Sequence, residues 1–313
     1  MRGIHFILIL YILTLLSSCK KGGKTPPINE NVDLDGTKIN DSSINYPANF
    51  LLSAAILSPS AADLAKPVVI AAHGYSATTF EWTEFRDWAK AKNDFYVSVV
   101  LLGGHGRDYD DFKHASWEDW QAPIITEYNK LRDLGYKNIN IVASSTGCPL
   151  VVNMIRDSKV NLDVLKHVYL IDPLIIPANK TLSLVVPLGL FIPYLKTDLD
   201  PGENGYWYKY RPEQSLKQLE KFARQERKAL EKGFTLPSGV SIKVYKSKHD
   251  GAVDPLSAVQ LHKGIKNSDG ENIPVKIVES KLHVFTRIHG RNVQTADDKS
   301  LQLQTFEEIH TEL

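Results

Sequence analysis

The sequence predicts an α/β fold, with a mostly parallel central sheet and helices on both of its faces. Short apolar runs alternate along the chain with longer amphipathic stretches, such as 79–92 and 117–134. This alternation is typical of parallel sheets, because each crossover between neighbouring strands needs a helix. An earlier segment, Phe50 to Leu57, is expected to add an antiparallel strand. The predicted parallel strands are 68–72, 95–101, 139–143, 167–171, 242–247 and 275–280.

The alternation stops between 173 and 234, which we interpret as a cap inserted into the sheet domain. The domain itself is expected to comprise residues 46–172 and 235–313. The first half of the insertion, 182–195, is apolar but interrupted by two prolines and a glycine, which excludes a membrane span. The second half, 212–230, predicts a charged amphipathic helix pair. Such a cap would line an apolar pocket and exclude water from it. The alternative is that its residues only pack the insertion onto the sheet domain.

Charge and composition argue against several classes of function. The chain has 37 basic and 36 acidic residues, a net charge of +1, so it has no long-range attraction for nucleic acid. It contains no glycine-rich phosphate loop and no cysteine pair with zinc spacing, and no cofactor is expected. Histidine and aspartate crowd one segment, 105–114, but without rigid spacing, so we interpret it as a solvated loop rather than a metal site.

One serine of the segment 139–147 has the surroundings of a nucleophile. A serine on a sharp strand-to-helix turn adopts strained backbone angles, which require small residues two positions before and after it. Ser145 meets this condition, because Ala143 and Gly147 flank it. The adjacent Ser144 would be flanked by two β-branched residues. Ser145 is therefore the predicted nucleophile.

A serine nucleophile needs a base and a group that orients the base. Asp250 follows the predicted strand 242–247, and His283 follows the predicted strand 275–280. Both therefore lie just past the carboxyl end of a strand, where ligand sites gather in open α/β sheets. When a serine nucleophile lies on a strand-to-helix turn of an α/β sheet, the acid and then the histidine follow it along the chain. Ser145, Asp250 and His283 have this order. We predict His283 as the base and Asp250 as its orienting acid.

Other residues compete for these roles. Asp172 also follows a strand and remains an alternative acid. Asp254 precedes a proline and is explained as a helix cap. His289 lies in a polar, basic loop and His310 on a C-terminal helix, where both are expected to be surface histidines.

The same chemistry needs hydrogen-bond donors for the oxyanion. The strand 68–72 ends in His73-Gly74-Tyr75. The expected donors are the backbone N–H groups of Thr146, after the nucleophile, and of Tyr75, in this turn. Gly74 would let the backbone approach closely, and His73 is expected to support the turn.

These motifs together resemble those of the α/β-hydrolase superfamily, and within it the small carboxylesterases and monoacylglycerol lipases. The resemblance covers roughly residue 48 to the C-terminus, although Ala143 stands where the usual motif has its first glycine. The motifs that carry it are His73-Gly74-Tyr75, Leu102 to Arg107, Ala143 to Gly147, Ser247 to Asp250, and His283-Val284.

The resemblance implies an α/β-hydrolase fold and an enzyme that cleaves carboxylic esters through an acyl-enzyme intermediate. The implied substrates are short to medium acyl esters or monoacylglycerol-like lipids. Two alternatives stay open. The same triad could cleave amides or thioesters, because the pocket rather than the triad selects the substrate. The chain could also be an inactive hydrolase fold that serves as a binding lipoprotein.

The N-terminus predicts a location in the bacterial cell envelope. Residues 1–19 combine a basic start with an apolar run too short to span a membrane, and they end in Leu16-Ser17-Ser18-Cys19, which resembles a lipobox. Cys19 would then be lipidated and anchor the protein to a membrane, with 20–45 as a flexible tether. The alternative is an ordinary secretory signal that is cleaved off. Cys148, the other cysteine, is expected to be a packed core thiol.

Overall fold

A computed structural model describes residues 26–29, 33–34, 58–178 and 193–313. Several predictions concern residues outside these ranges: the signal segment 1–19 with its lipidated Cys19, most of the tether 20–45, the strand from Phe50 to Leu57, and most of the apolar half of the insertion. None of the helices in the described ranges combines the length and apolar character needed to span a bilayer.

The strands of the described residues are β1 (Val68–Ala72), β2 (Tyr96–Val100), β3 (Ile139–Ser144), β4 (Leu165–Ile171), β5 (Tyr194–Lys196), β6 (Tyr210–Pro212), β7 (Phe234–Thr235), β8 (Ser241–Ser247), β9 (Ile265–Lys266) and β10 (Val275–Val278). The helices are α1 (Ala61–Leu64), α2 (Thr83–Lys92), α3 (Tyr109–His114), α4 (Trp117–Leu134), α5 (Gly147–Arg156), α6 (Glu213–Lys232), α7 (Leu256–Gly264) and α8 (Ala296–Glu312), with 3₁₀ turns at Thr79–Trp82 and Pro201–Glu203.

Six strands form the central sheet in the order β10-β8-β4-β3-β1-β2, and every neighbouring pair is parallel. Each corresponds to one of the six predicted parallel strands, with ends that differ by at most two residues. The register aligns the carboxyl ends: Ala72 pairs with Ala143, and Ala143 in turn pairs with Leu170. The turns after β1, β3, β4, β8 and β10 therefore emerge at one edge of the sheet.

Helices cover both faces of this sheet. Alternate residues of β1 belong to different core clusters, with Val68 and Ile70 on one face and Val69 and Ala71 on the other. Apolar side chains of α4, α5, α6 and α7 pack against the first face, and those of α2 and α8 against the second. Parallel strands buried on both faces require such continuous apolar runs.

The insertion differs from the prediction in one respect. The helix pair expected over 212–230 is wrong, because a single helix of 20 residues, α6, occupies this stretch. No glycine or proline interrupts it, and its apolar residues recur at helical spacing on one buried face. These are Leu216, Leu219, Phe222, Ala223 and Leu230.

The described part of the predicted tether contacts the folded chain. Leu34 is buried against Phe112 and Tyr208. Asp33 pairs with Lys209 at 3.2 Å. These residues lie against the insertion rather than away from it.

Candidate active site

Ser145 occupies the turn between β3 and α5 with a backbone φ of 48°, in the left-handed region. Its N–H donates to the Ile171 carbonyl at 3.0 Å, and its own carbonyl accepts from Leu174 N at 3.0 Å. Gly147 is required here, because a Cβ at that position would lie 2.6 Å from the His73 carbonyl oxygen. The structure thus has the strained serine and the small flanking residue that the sequence predicts for a nucleophile on a strand-to-helix turn.

Three predicted side chains meet at this turn. The Nε2 atom of His283 lies 2.9 Å from Ser145 Oγ, and its Nδ1 atom lies 2.9 Å from Asp250 Oδ2. Ser145 and Asp250 are buried, whereas the His283 side chain is 26% exposed. An imidazole that bridges a hydroxyl and a carboxylate can take the serine proton and hold the charge that results.

Asp250 is fixed by several donors. Its Oδ1 accepts from Ala252 N at 2.7 Å and from Val253 N at 3.2 Å, and its Oδ2 accepts from Lys246 Nζ at 2.7 Å. Burial alone would raise the pKa of Asp250, but the hydrogen bonds and charges of His283 and Lys246 outweigh it and lower the pKa to about 2. The carboxylate is therefore ionised at neutral pH.

Lys246 joins this carboxylate to a second one. Its buried ammonium lies 3.1 Å from Asp172 Oδ1. Asp172 in turn accepts from Ser247 N and Oγ, at 2.7 and 2.9 Å, and from Val284 N at 2.9 Å. Asp172 thus connects two segments of the site. Ser247 precedes the loop with Asp250, and Val284 follows His283 directly.

The competing residues lie elsewhere or have other partners. Asp172 forms no hydrogen bond with His283 among the described contacts, so Asp250 is the residue that orients the imidazole. Asp254 Oδ1 accepts from Leu256 N at 2.9 Å, at the start of α7. His289 is exposed, and His310 on α8 contacts Asp94 at 2.8 Å.

The two predicted oxyanion donors flank the serine. Neither the Tyr75 N–H nor the Thr146 N–H donates to another group within the described residues, which leaves both available to a ligand. Gly74 is needed beside them, because a Cβ there would lie 2.8 Å from Ser145 Cβ. The Tyr75 hydroxyl is held by Ser215 Oγ at 2.6 Å.

Two buried histidines support the turn after β1. Leu102 N donates to His73 Nε2 at 3.1 Å, so the proton of this ring lies on Nδ1, which contacts the Gly74 carbonyl at 2.8 Å. His105 is also buried, contrary to the solvated loop predicted for it, and packs between Phe112 and other aromatic rings. Burial lowers the pKa of both rings, that of His105 to about 4.

Comparison of the chain with known proteins identifies its fold. No family model matches the chain. A thermostable monoacylglycerol lipase from Bacillus sp. (strain H-257) is 24% identical over 219 residues, which cover 70% of this chain and 83% of that protein. A metagenome-derived lipolytic enzyme superposes with a TM-score of 0.62, at 16% identity, over 79% of this chain and 94% of its own. The monoacylglycerol lipase of Paleococcus ferrophilus gives 0.59 at 13% identity, covering 79% and 96%. This chain has the α/β-hydrolase fold.

A pocket of about 540 Å³ opens beside Ser145 and His283 in this hydrolase fold. Its apolar wall comes mainly from the insertion, and it includes Leu174, Pro177, Leu195, Trp207, Leu216 and Leu219. Its charged lining residues are Glu81, Lys196 and Arg211. An apolar group attached to a carbonyl at Ser145 would find contacts here.

Sequence reasoning missed three residues of the candidate site. Lys246 lies in the predicted strand 242–247 and Glu81 in the amphipathic stretch 79–92, whereas Arg211 lies just before the charged segment 212–230 and was assigned no role. Lys246 follows Ile242 and Val244 at two-residue spacing and therefore shares their buried face of β8, which was a usable signal. Cys148 is buried as expected, and burial raises the pKa of its thiol.

Proposed function

We propose that this chain is a serine hydrolase that cleaves carboxylic esters, either short to medium acyl esters or monoacylglycerol-like lipids. The observation that carries the proposal is the hydrogen-bonded path from Ser145 Oγ through His283 to Asp250, with both contacts at 2.9 Å. The apolar pocket beside it suits an acyl chain. The similarity to a lipase that acts on monoacylglycerol is consistent with this substrate class.

The reaction would proceed in two stages. Ser145 Oγ attacks the ester carbonyl while His283 Nε2 takes its proton, and Asp250 stabilises the imidazolium. The N–H groups of Thr146 and Tyr75 stabilise the oxyanion. His283 then gives the proton to the departing alcohol, which leaves an acyl-enzyme. A water molecule, deprotonated by His283, attacks this ester and releases the acid and the free serine.

Replacement of the serine tests this mechanism. We expect Ser145→Ala to lower the turnover of p-nitrophenyl butyrate by about a thousandfold or more, and to abolish labelling by a fluorophosphonate probe. Ser300→Ala, an exposed serine on α8, serves as the matched control and should retain both properties. Unchanged turnover in Ser145→Ala would exclude the mechanism.

The choice of ester over amide or thioester needs its own measurement. Purified protein would be given butyryl esters, thioesters and amides with matched leaving groups. We expect the largest kcat/KM for the ester. A larger value for the amide or the thioester would reassign the substrate class while retaining the triad.

We further propose that Cys19 anchors the enzyme to a membrane of the bacterial envelope, as the lipobox-like end of residues 1–19 suggests. In cells given labelled palmitate, the wild-type chain and Cys148→Ala should incorporate label and sediment with membranes. Cys19→Ser should do neither. Equal labelling of the Cys19→Ser chain would refute the anchor.

A further inference from the structure

The pocket beside Ser145 contains a cation that forms no ion pair with the described residues. Arg211 lies on β6 opposite Leu195 of β5, and both residues line the pocket together with Ser145 and His283. Within the described ranges, the Arg211 side chain has no hydrogen bond and no ion pair. Its Nε atom is shielded from solvent and has no acceptor.

Two cations that are fully buried among the described residues have carboxylate partners. Lys246 contacts Asp172 and Asp250, and Arg287 pairs with Glu203. Arg211 is half-buried, and removing part of a charge from water without a partner costs free energy, so the lack of an ion pair at Arg211 among the described residues needs an explanation. Burial lowers the pKa of Arg211, yet a guanidinium keeps its charge at neutral pH.

The nearby carboxylates form no ion pair with Arg211. Glu203 is near enough for its charge to raise the pKa of Arg211, but it pairs with Arg287. Glu81, the acidic residue among the described pocket lining, already accepts from Gly74 N at 2.8 Å and from Ser144 Oγ. The guanidinium carbon of Arg211 lies 5.9 Å from the centre of the Tyr75 ring, a contact that offsets only a small part of the charge. The sequence from 179 to 192 contains no Asp or Glu.

We propose that Arg211 binds an anionic group of the substrate, so that the preferred esters carry a carboxylate or a phosphate in addition to the scissile ester. A guanidinium offers two parallel N–H donors that match either group. Lys196, which lines the same pocket and is exposed, adds a second positive charge on the neighbouring strand. This inference rests on the proposed ester hydrolysis and names its substrate class.

Matched substrate pairs test the preference and identify its source. Monoethyl adipate is compared with ethyl hexanoate, for a carboxylate on the acyl side. The compound 3-butyryloxybenzoate is compared with 3-butyryloxybenzamide, for a carboxylate on the alcohol side. Finally, 1-butyrylglycerol 3-phosphate is compared with 1-butyrylglycerol. We expect the wild-type enzyme to prefer the anionic member of at least one pair by about tenfold or more in kcat/KM.

The preference should depend on Arg211. We expect Arg211→Met to lower kcat/KM for the preferred anionic ester by about 10- to 100-fold, mainly through KM, and to change its neutral counterpart by less than about threefold. Arg211→Lys keeps the charge without the paired donors, and should lose less. Arg224→Met, an exposed arginine on α6, is the control and should match the wild type.

Two results would overturn the inference while leaving the proposed function standing. One is a wild-type enzyme that prefers the neutral member of every pair or shows no preference. The other is an equal loss of kcat on neutral and anionic esters in Arg211→Met, which would place the residue in support of Tyr75 instead. Fluorophosphonate labelling of Ser145 shows that each variant is folded. Loss of the proposed function itself would appear as no hydrolysis of any ester by the wild type.

Discussion

At the scale of single residues, the candidate site depends on two carboxylates that share one buried ammonium. Lys246 lies between Asp172 and Asp250, at 3.1 and 2.7 Å from their oxygens. Without it, two ionised groups would face each other in a buried setting, and one would have to take up a proton. Together with His283, the lysine therefore lowers the pKa of Asp250, and it also holds Asp172 in place.

This arrangement predicts a large effect for one lysine and a small effect for its neighbour. We expect Lys246→Met to lower the free energy of unfolding by about 3–5 kcal/mol, because it leaves uncompensated buried charge, and to reduce kcat on p-nitrophenyl butyrate. Lys248→Met removes only an exposed contact with Glu279 and should change little. Urea unfolding at pH 7.5 measures both variants.

A double-mutant cycle isolates the cause. If repulsion between the carboxylates dominates, adding Asp172→Asn to Lys246→Met should recover part of the lost stability. Fully additive losses in the double variant would instead mean that packing of the lysine stem accounts for the effect.

At this scale, the sequence distinguishes the candidate nucleophile Ser145 from the adjacent Ser144. The sizes of the residues two positions away separate Ser145 from Ser144, and the observed φ of 48° at Ser145 agrees with that reasoning. The role of Asp172 could not be predicted in the same way. Its partners Ser247 and Val284 lie 75 and 112 residues further along the chain, and only the folded sheet brings them together.

At the scale of elements, helix α6 attaches the insertion to the sheet domain. Phe222 stacks on Trp117 of α4 with ring centres 4.5 Å apart. Arg156, at the end of α5, donates to both carboxylate oxygens of the buried Glu226, at 2.6 and 3.1 Å. Apolar packing and a bidentate ion pair thus both hold α6 against the sheet domain.

Breaking this pair should be costly. We expect Arg156→Met to lower the free energy of unfolding by about 3–5 kcal/mol, because it leaves Glu226 buried with Asn153 as its remaining donor. Arg224→Met breaks an exposed pair within α6 and should cost much less. Thermal or urea unfolding compares the two. Similar losses in both variants would contradict a special role for the buried pair.

The elements also show where sequence patterns suffice. Each predicted parallel strand was placed within two residues, because buried parallel strands are short apolar runs with clear ends. The insertion was harder. Its charged composition suggested two helices, whereas the spacing from Leu216 to Leu230 and the absence of glycine and proline specify one. Helical periodicity was the better guide than composition.

At the scale of the whole molecule, two neutral histidines buried beneath the active-site turn make stability depend on pH. The rings of His73 and His105 lie 5.3 Å apart, and burial lowers the pKa of each. In the unfolded chain both would titrate near 6.5. Between that value and about 4 for His105, the unfolded state binds more protons than the folded state. The contribution of these two rings to the free energy of unfolding is therefore fully present above pH 6.5, and it falls as the pH decreases.

This loss of stability can be compared with the loss in a variant that lacks one of the two histidines. From pH 7.5 to pH 5, each histidine should contribute a loss of about 2 kcal/mol to the free energy of urea unfolding. Asp250, with a pKa of about 2, adds nothing in this interval because it stays ionised in both states. His105→Phe keeps an aromatic ring in the cluster and should lessen the decline by about 2 kcal/mol. His114→Gln, at an exposed position, should leave it unchanged. An undiminished decline in His105→Phe would show that other groups set the acid limit of the fold.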